Sequence, residues 1–264
     1  MTHKKIRYVT LPLVCVAGFA TMAHGTADTS RDVRLPALSR AQVQQTLEQG
    51  VDISKVNTAP GLHVVPLSES WSTPDQAEIE RKQIEQQRSR GFYSAEAGEV
   101  VDVRGRMKAA ATERGKMPRH DRAFRSLNDV RKDLLVNPAE LGTSELSSAT
   151  LMEVRLGGSY VNGKWTGLAR TFEVPGLGLI VLNETDHAAG NESVTLIREW
   201  MNIDVNGQSG TTKTARDASG RTLVTVGWVN ERKIYSMRLQ PLHPEAHEAN
   251  QARLLEIARN LIET

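Results

Sequence analysis

The dipeptide Asn162-Gly163 lies between two stretches rich in β-forming residues, Leu151–Val161 and Lys164–Val174. A two-residue loop between such flanks must take positive φ at both central positions, which Asn and Gly accept and most residues resist. The pair predicts a type I′ hairpin and commits this part of the chain to antiparallel sheet. The two pleats are out of step, and a bulge at Gly157-Gly158 restores Leu156 to a position opposite Leu168.

The chain after the hairpin continues in the same grammar. Gly178–Leu182 is a continuous apolar run, the pattern of a central strand covered on both faces. Thr195–Val205 reads as strand throughout, or as a short helix leading into one. Asn206-Gly207 and Ala218-Ser219-Gly220 mark turns, and Arg221–Val229 and Ile234–Leu239 complete a meander around Asn230-Glu231-Arg232-Lys233. A helix then closes the chain. Pro244 sits near its first position, and Glu245 and Glu248 suit the positive end of its dipole. Leu254, Ile257, Ala258, Leu261 and Ile262 form one apolar face for the sheet. The fold class expected is α+β. Residues 148–264 form an antiparallel β-sheet domain with a packed C-terminal helix, preceded by a mostly helical, partly disordered N-terminal region.

Residues 1–25 read as a secretory signal peptide. Lys4, Lys5 and Arg7 precede an apolar run from Val9 to about Ala20, and Ala23-His24-Gly25 offers small residues at a cleavage site. The run is too short to span a bilayer comfortably. Cys15, the single cysteine, lies inside it, which excludes an intramolecular disulfide and a CxxC metal or redox site. Val14 before it departs from a lipoprotein signal. Without residues 1–25 the chain carries 30 basic and 31 acidic residues, a net charge of −1, so global charge gives no argument for nucleic acid. The expected location is the periplasm, or secretion from a bacterium.

Residues 26–147 are polar and weakly periodic. Ser39-Arg40-Ala41-Gln42 is a capping box with Gly50 as a stop, and Thr73-Pro74-Asp75-Gln76 is a second one, opening a helix to about Arg90. That helix has few apolar positions beyond Ala77, Ile79 and Ile84, so it buries little surface. Residues 51–72 read as irregular connection, with Pro60-Gly61 and Pro66 as breakers. A third helical stretch is expected from about Asp121 to Leu135.

The order strand, turn, Trp-bearing strand, turn, Tyr-bearing strand, helix in Thr222–Trp228, Ile234–Leu239 and Leu254–Ile262 resembles the end of the PsbP/Mog1-like class of exported α+β domains. The resemblance covers about 65 residues and rests on pattern. It implies a protein that binds other proteins or assists assembly, in a class whose members are mostly not enzymes, and it transfers no functional residue.

Several segments have the look of chemistry. Gly158 to Lys164 has P-loop spacing, but Trp165 stands where Mg²⁺ binding needs Ser or Thr, and a P-loop joins strand to helix, not the two arms of a hairpin. Asn202, Asp204, Asn206 and Gly207 resemble the start of a calcium loop, yet its twelfth position is Lys213, whose charge opposes a cation. His243 and His247, four apart at a helix start, are the metal-ligand candidates, with His187 as a distant third. A nucleophile motif is missing from the sequence: Ser209 falls one residue short of GxSxG spacing. Residues 101–132 hold ten basic and four acidic side chains. Arg104, Arg106, Lys108, Arg114, Lys116, Arg119, Arg122 and Arg125 are the candidate partner-binding residues, suited to an acidic protein or an anionic membrane surface. Phe124 is the single aromatic among them, which argues against base stacking.

These readings lead to an exported, non-catalytic protein-interaction module, in its narrower form an immunity-type inhibitor of an exported toxic enzyme. No cofactor and no nucleic-acid partner are expected. One alternative is a carrier or envelope-assembly factor that holds lipid or another apolar ligand between sheet and helix, with Trp165, Trp200, Trp228, Tyr160 and Tyr235 lining the cleft. The other is a metal-dependent hydrolase built on His243 and His247.

Overall fold

The Asn162-Gly163 loop closes β3 (Thr150–Val161) onto β4 (Lys164–Val174), with φ of 50° and 79° at its two residues. The structure, a computed structural model, describes residues 59–70, 73–96, 98–113, 119 and 122–263. The signal segment with Cys15 and the Ser39–Gly50 helix lie outside the described residues. Leu156 stands opposite Leu168, and the register shifts between Gly157 and Tyr160, as the pleat required. Gly158 carries this bulge at φ 72°; a Cβ there would meet Thr166 Oγ1 at 2.5 Å. A second shift, between Leu151 and Glu153, has no sequence signal that we find.

The remaining elements follow in order. They are β1 (Gly61–Val65), α1 (Pro74–Arg90), β2 (Tyr93–Ser94) and α2 (Val103–Glu113), then β5 (Gly178–Asp186), β6 (Ser193–Ile197) and β7 (Ile203–Val205). The last are β8 (Gln208–Arg216), β9 (Thr222–Val229), β10 (Lys233–Pro241) and α3 (His247–Arg259). Among the described residues the main sheet runs β2-β8-β9-β10-β5-β4-β3, with β7 also on β8. All its pairings are antiparallel except β2 with β8. The fold is thus α+β, a largely antiparallel sheet with a C-terminal helix, and β5 is central as its apolar run indicated.

Three expectations are corrected. Residues 61–65, inside the stretch read as irregular, form β1, which pairs in parallel with β6 from Gly61↔Ser193 to Val65↔Ile197; its partner is remote in sequence and no local pattern announces it. Residues 121–135 do not form one helix in their described part. Phe124 bridges Val154 on the β3 edge, and two short 3₁₀ turns follow at Leu127–Asp129 and Arg131–Asp133. Their apolar spacing serves that lie, because Val130 and Leu134 pack with Val154 and Leu168. Third, α3 begins at His247, three residues after Pro244, and Ile262 is 52% exposed, outside the buried face.

The sheet has two covered faces. On the first, Leu254, Ile257, Ala258 and Leu261 of the C-terminal segment pack on Val224, Val226, Met237 and Leu239, together with Ala139 and Leu146. A buried ion pair joins this core: Arg170 Nη2 lies 2.6 Å from Glu184 Oε1, and both groups also bond the backbone of Ala139. On the second face β6 lays Val194 and Leu196 on Val229 and Ile234. There α1 covers β8 through a small cluster of Ile84, Tyr93, Trp200, Ala215 and Leu223. Val103 of α2 donates its N–H to Gln240 Oε1 on β10.

Candidate functional site

The site with the most unusual physical chemistry lies where α1 meets β8. Its starting point is the capping box. Thr73 Oγ1 accepts from Gln76 N and Gln76 Oε1 accepts from Thr73 N, with Pro74 at the first helical position. The helix ends at Gly91, whose φ of 75° completes a left-handed cap. The residues α1 buries are Gln83, Ile84 and Gln87. Gln87 Oε1 accepts from the backbone N–H of Thr214 on β8, and its Nε2 donates to Gly91 O, both at 2.8 Å. Gln86 Oε1 accepts from Ser94 N on β2. Glutamine amides thus join the helix to the sheet where apolar side chains would be usual.

Beneath them sits Lys213. It is 5% exposed, and its Nζ lies 3.7 Å from the centre of the Trp200 ring. Burial draws its amine down to about 7, while the charges of Glu80 and Glu99 pull the other way. Burial likewise raises the Glu80 carboxyl, against the field of Lys213. Glu80 Oε2 and Trp200 Nε1 are buried without a hydrogen-bond partner among the described residues. Glu99 is held by Tyr93 Oη at 2.5 Å and by Glu96 N at 3.0 Å; burial, followed by the charge of Glu99, raises the Tyr93 phenol. Five polar groups from α1, β2, the following loop, β8 and the 198–200 turn therefore meet in one nearly dry layer.

A cleft of about 590 Å³ runs along the opposite flank of α1. Leu67 and Ile84 form its floor, and Arg81, Glu85, Arg88 and Glu199 its walls. Its far side is braced, since Glu199 Oε2 accepts from Leu67 N and Arg88 Nη2 donates to Glu199 O. Lys213 does not line it. An amine near neutrality has the chemistry of a base or nucleophile, but here it is shut off from the space a substrate would occupy. The arrangement suits binding: an apolar floor rimmed by mixed charge has the composition of a protein contact surface.

The residues singled out from sequence fall elsewhere. Arg104, on α2, pairs with Glu173 at 2.6 Å, and Arg106 lies in the fields of Arg155, Glu153 and Asp102. Arg119 pairs with Asp133 and covers the Phe124 ring. Lys108, Arg122 and Arg125 are exposed; Arg114 and Lys116 lie outside the described residues. The set is thus divided between α2 and the edge of β3. The histidines do not converge. His187 follows β5, is 2% exposed and has Nε2 3.3 Å from Asn230 O. His243 and His247 follow β10, the latter edge-on to Phe92. Since Asp186 stands opposite Lys233 and Gly178 opposite Pro241, His187 and the pair occupy opposite ends of a ladder about 27 Å long. Among the described residues no three His, Cys, Asp or Glu are grouped as metal ligands.

The other motifs are absorbed by local structure. Asp204 Oδ1 accepts from Gly207 N, Asn202 Oδ1 accepts from Thr212 N, and Asn206 Nδ2 donates to Arg259 O, so the calcium-like segment is a turn with its polar groups engaged. The P-loop-like segment is the bulged hairpin. Trp200, Trp228 and Tyr235 are core residues, Tyr235 stacked on Trp228 at 4.9 Å, whereas Tyr160 is 62% exposed. Among the described residues no helix is long and apolar enough to cross a membrane.

Lys213 and Glu80 escaped sequence reasoning because a lysine in a strand and a glutamate in a polar helix carry no mark of burial. The available signal was the low apolar content of α1, which required that something polar hold it. Comparison with protein-family models, with curated proteins and with solved structures yields no match to this chain.

Proposed function

We propose that the chain is an exported, non-catalytic protein-interaction module, and that α1 with its cleft is its recognition element. The observation that carries this reading is the 590 Å³ cleft between α1 and Glu199, with an apolar floor and Arg81, Glu85 and Arg88 on its rim. A side-chain-bearing segment of another protein can answer both the floor and the alternating charges, whereas an acyl chain would leave the charges unpaired. Export is supported by the signal pattern of residues 1–25. An immunity-type inhibitor is the narrower form of this proposal, since blocking an exported enzyme requires a stable scaffold and a contact surface.

The test is an untagged pull-down from the native periplasm with mass spectrometry, run beside the double variant Arg81→Glu/Arg88→Glu. Both side chains are exposed, so the fold is expected to survive. A stoichiometric partner lost on charge reversal supports the reading. Recovery of no partner, or equal recovery with the variant, overturns it.

A further inference from the structure

We propose that the tip of the β3–β4 hairpin docks on an anionic phospholipid surface. The proposal is independent of the cleft along α1.

The last pair between β4 and β5 is Gly167↔Thr185, so the turn end, residues 160–165, extends past that ladder; below it Thr166 is buried and Ser159 Oγ donates to the buried Glu192 Oε1 at 2.6 Å. The projection carries an aromatic pair: the Tyr160 and Trp165 rings are 5.2 Å apart and tilted by 53°. Tyr160, 62% exposed, is the single aromatic among the exposed large hydrophobic side chains of the described residues. Leu135, 39% exposed, is fixed beside them, because its N–H donates to Trp165 O at 2.8 Å. A bulge on one arm and a type I′ turn between the arms hold the tip in one shape, so little ordering is needed when the rings leave water.

Charge surrounds this tip in the pattern an anionic surface would select. Lys164 is in the hairpin itself, next to Trp165, and is exposed. Arg131 and Lys132, also exposed, occupy the 3₁₀ turn that leads to Leu134, and Leu134 bridges Trp165. The intervening Asp133 is neutralised by Arg119 at 2.8 Å. Exposed carboxylates in these segments are Asp129, two residues before Arg131, and Glu231, on the β9–β10 turn, where the neighbouring Arg232 is paired with Asp186. Tyrosine and tryptophan rings favour the headgroup level, where one part of the ring is dry and the polar group wet. Lysine and arginine beside them are drawn to anionic headgroups within a Debye length. The two rings of the tip pack on each other, which suits shallow insertion into a bilayer better than stacking on bases.

The experiment is co-sedimentation of the full chain with vesicles of phosphatidylglycerol mixed into phosphatidylcholine, against phosphatidylcholine alone. The wild type is expected to sediment with the mixed vesicles and to be released by salt. Lys164→Gln, Arg131→Gln and Lys132→Gln should each weaken partitioning about fivefold, and Tyr160→Ser should weaken it with the circular dichroism unchanged. In a Trp71→Phe background, brominated lipid should quench Trp165 and leave the buried Trp200 and Trp228 emitting. Failure of the wild type to sediment with the mixed vesicles overturns the proposal, as does sedimentation indifferent to Lys164 and Tyr160. Loss of a protein partner on the same substitutions, without vesicle binding by the wild type, also overturns it and assigns the hairpin to a protein interface.

Discussion

The two faces of the sheet are covered by helices that solve the same problem differently. On the first face α3 presents Leu254, Ile257 and Ala258 to an apolar floor, and the buried charge beneath, Arg170, is matched by Glu184 at 2.6 Å. On the second, α1 presents Gln83, Ile84 and Gln87, and the buried amine, Lys213, lies over the face of Trp200 with carboxylates near but, among the described residues, no ion pair within 4 Å. Apolar contact stabilises in proportion to the area removed from water, without demanding particular partners. Amide-to-backbone contacts contribute about 1 kcal/mol each and are lost once their geometry is lost. The first face is therefore the anchor of the domain. On the second, α1 is held by a small apolar cluster around Ile84 and by a few directional bonds, and the cleft we assign to recognition runs along it.

The largest expected effect is on the anchored face. Glu184→Ala leaves Arg170 buried without its carboxylate and frees the Ala139 N–H, and should cost about 3 to 5 kcal/mol of global stability. Leu254→Ala, which opens a cavity under α3 at a residue 0% exposed, should cost about 3 kcal/mol. Chemical denaturation of both variants checks these values. A loss under 1 kcal/mol in both would break the assignment of the first face as anchor.

Much of this anchor was legible in the sequence. The I′ loop, the Gly157-Gly158 bulge, the central run at Gly178–Leu182 and the apolar stripe of α3 are all local patterns, and each fixes geometry through short-range sterics or period. What was not legible is non-local. β1 exists because it pairs with β6 more than 130 residues later. Phe124 is extended because Val154 offers a free edge. α2 is capped by Asp102, whose Oδ1 accepts from Gly105 N at 2.9 Å, but it has no clear stripe, and it is tied down by Gln240 and Glu173. Of the candidate site, the capping box and the poverty of apolar residues in α1 could be read. The burial of Lys213 could not, since it depends on a strand register and on a helix packed across it.

The next effect concerns the unpaired amine. Unfolded, Lys213 titrates near 10.5, and folded it titrates at about 7. Between those values the unfolded chain binds the additional proton, so stability rises with pH from about 7 to about 10.5, by up to about 1.4 kcal/mol per pH unit, and this contribution is flat below 7. Lys213→Met removes the linkage while filling the same space. The difference in denaturation midpoint between wild type and variant, measured across that range, should therefore narrow as pH rises. A difference independent of pH would mean that the amine stays charged in the folded state, and the second face would be held by a conventional cation–π contact.

The smallest effect is the sharpest test of whether the two helices are independent. Thr73→Ala removes the side-chain half of the α1 capping box and should cost about 1 kcal/mol. If α1 opens by itself, as its glutamine-based docking implies, its amides exchange through a local opening. Thr73→Ala should then speed α1 amides about fivefold, and in both chains α1 amides should show a smaller opening free energy and a smaller denaturant dependence than those of α3 and β9. If instead α1 and α3 amides share one opening free energy and one denaturant dependence, α1 leaves the sheet only when the whole domain unfolds. The glutamine bonds to Thr214 and Gly91 would then be as cooperative as the leucine contacts opposite. The cleft along α1 would in that case be a rigid feature of the domain, and recognition there would have to be argued as the fit of two preformed surfaces.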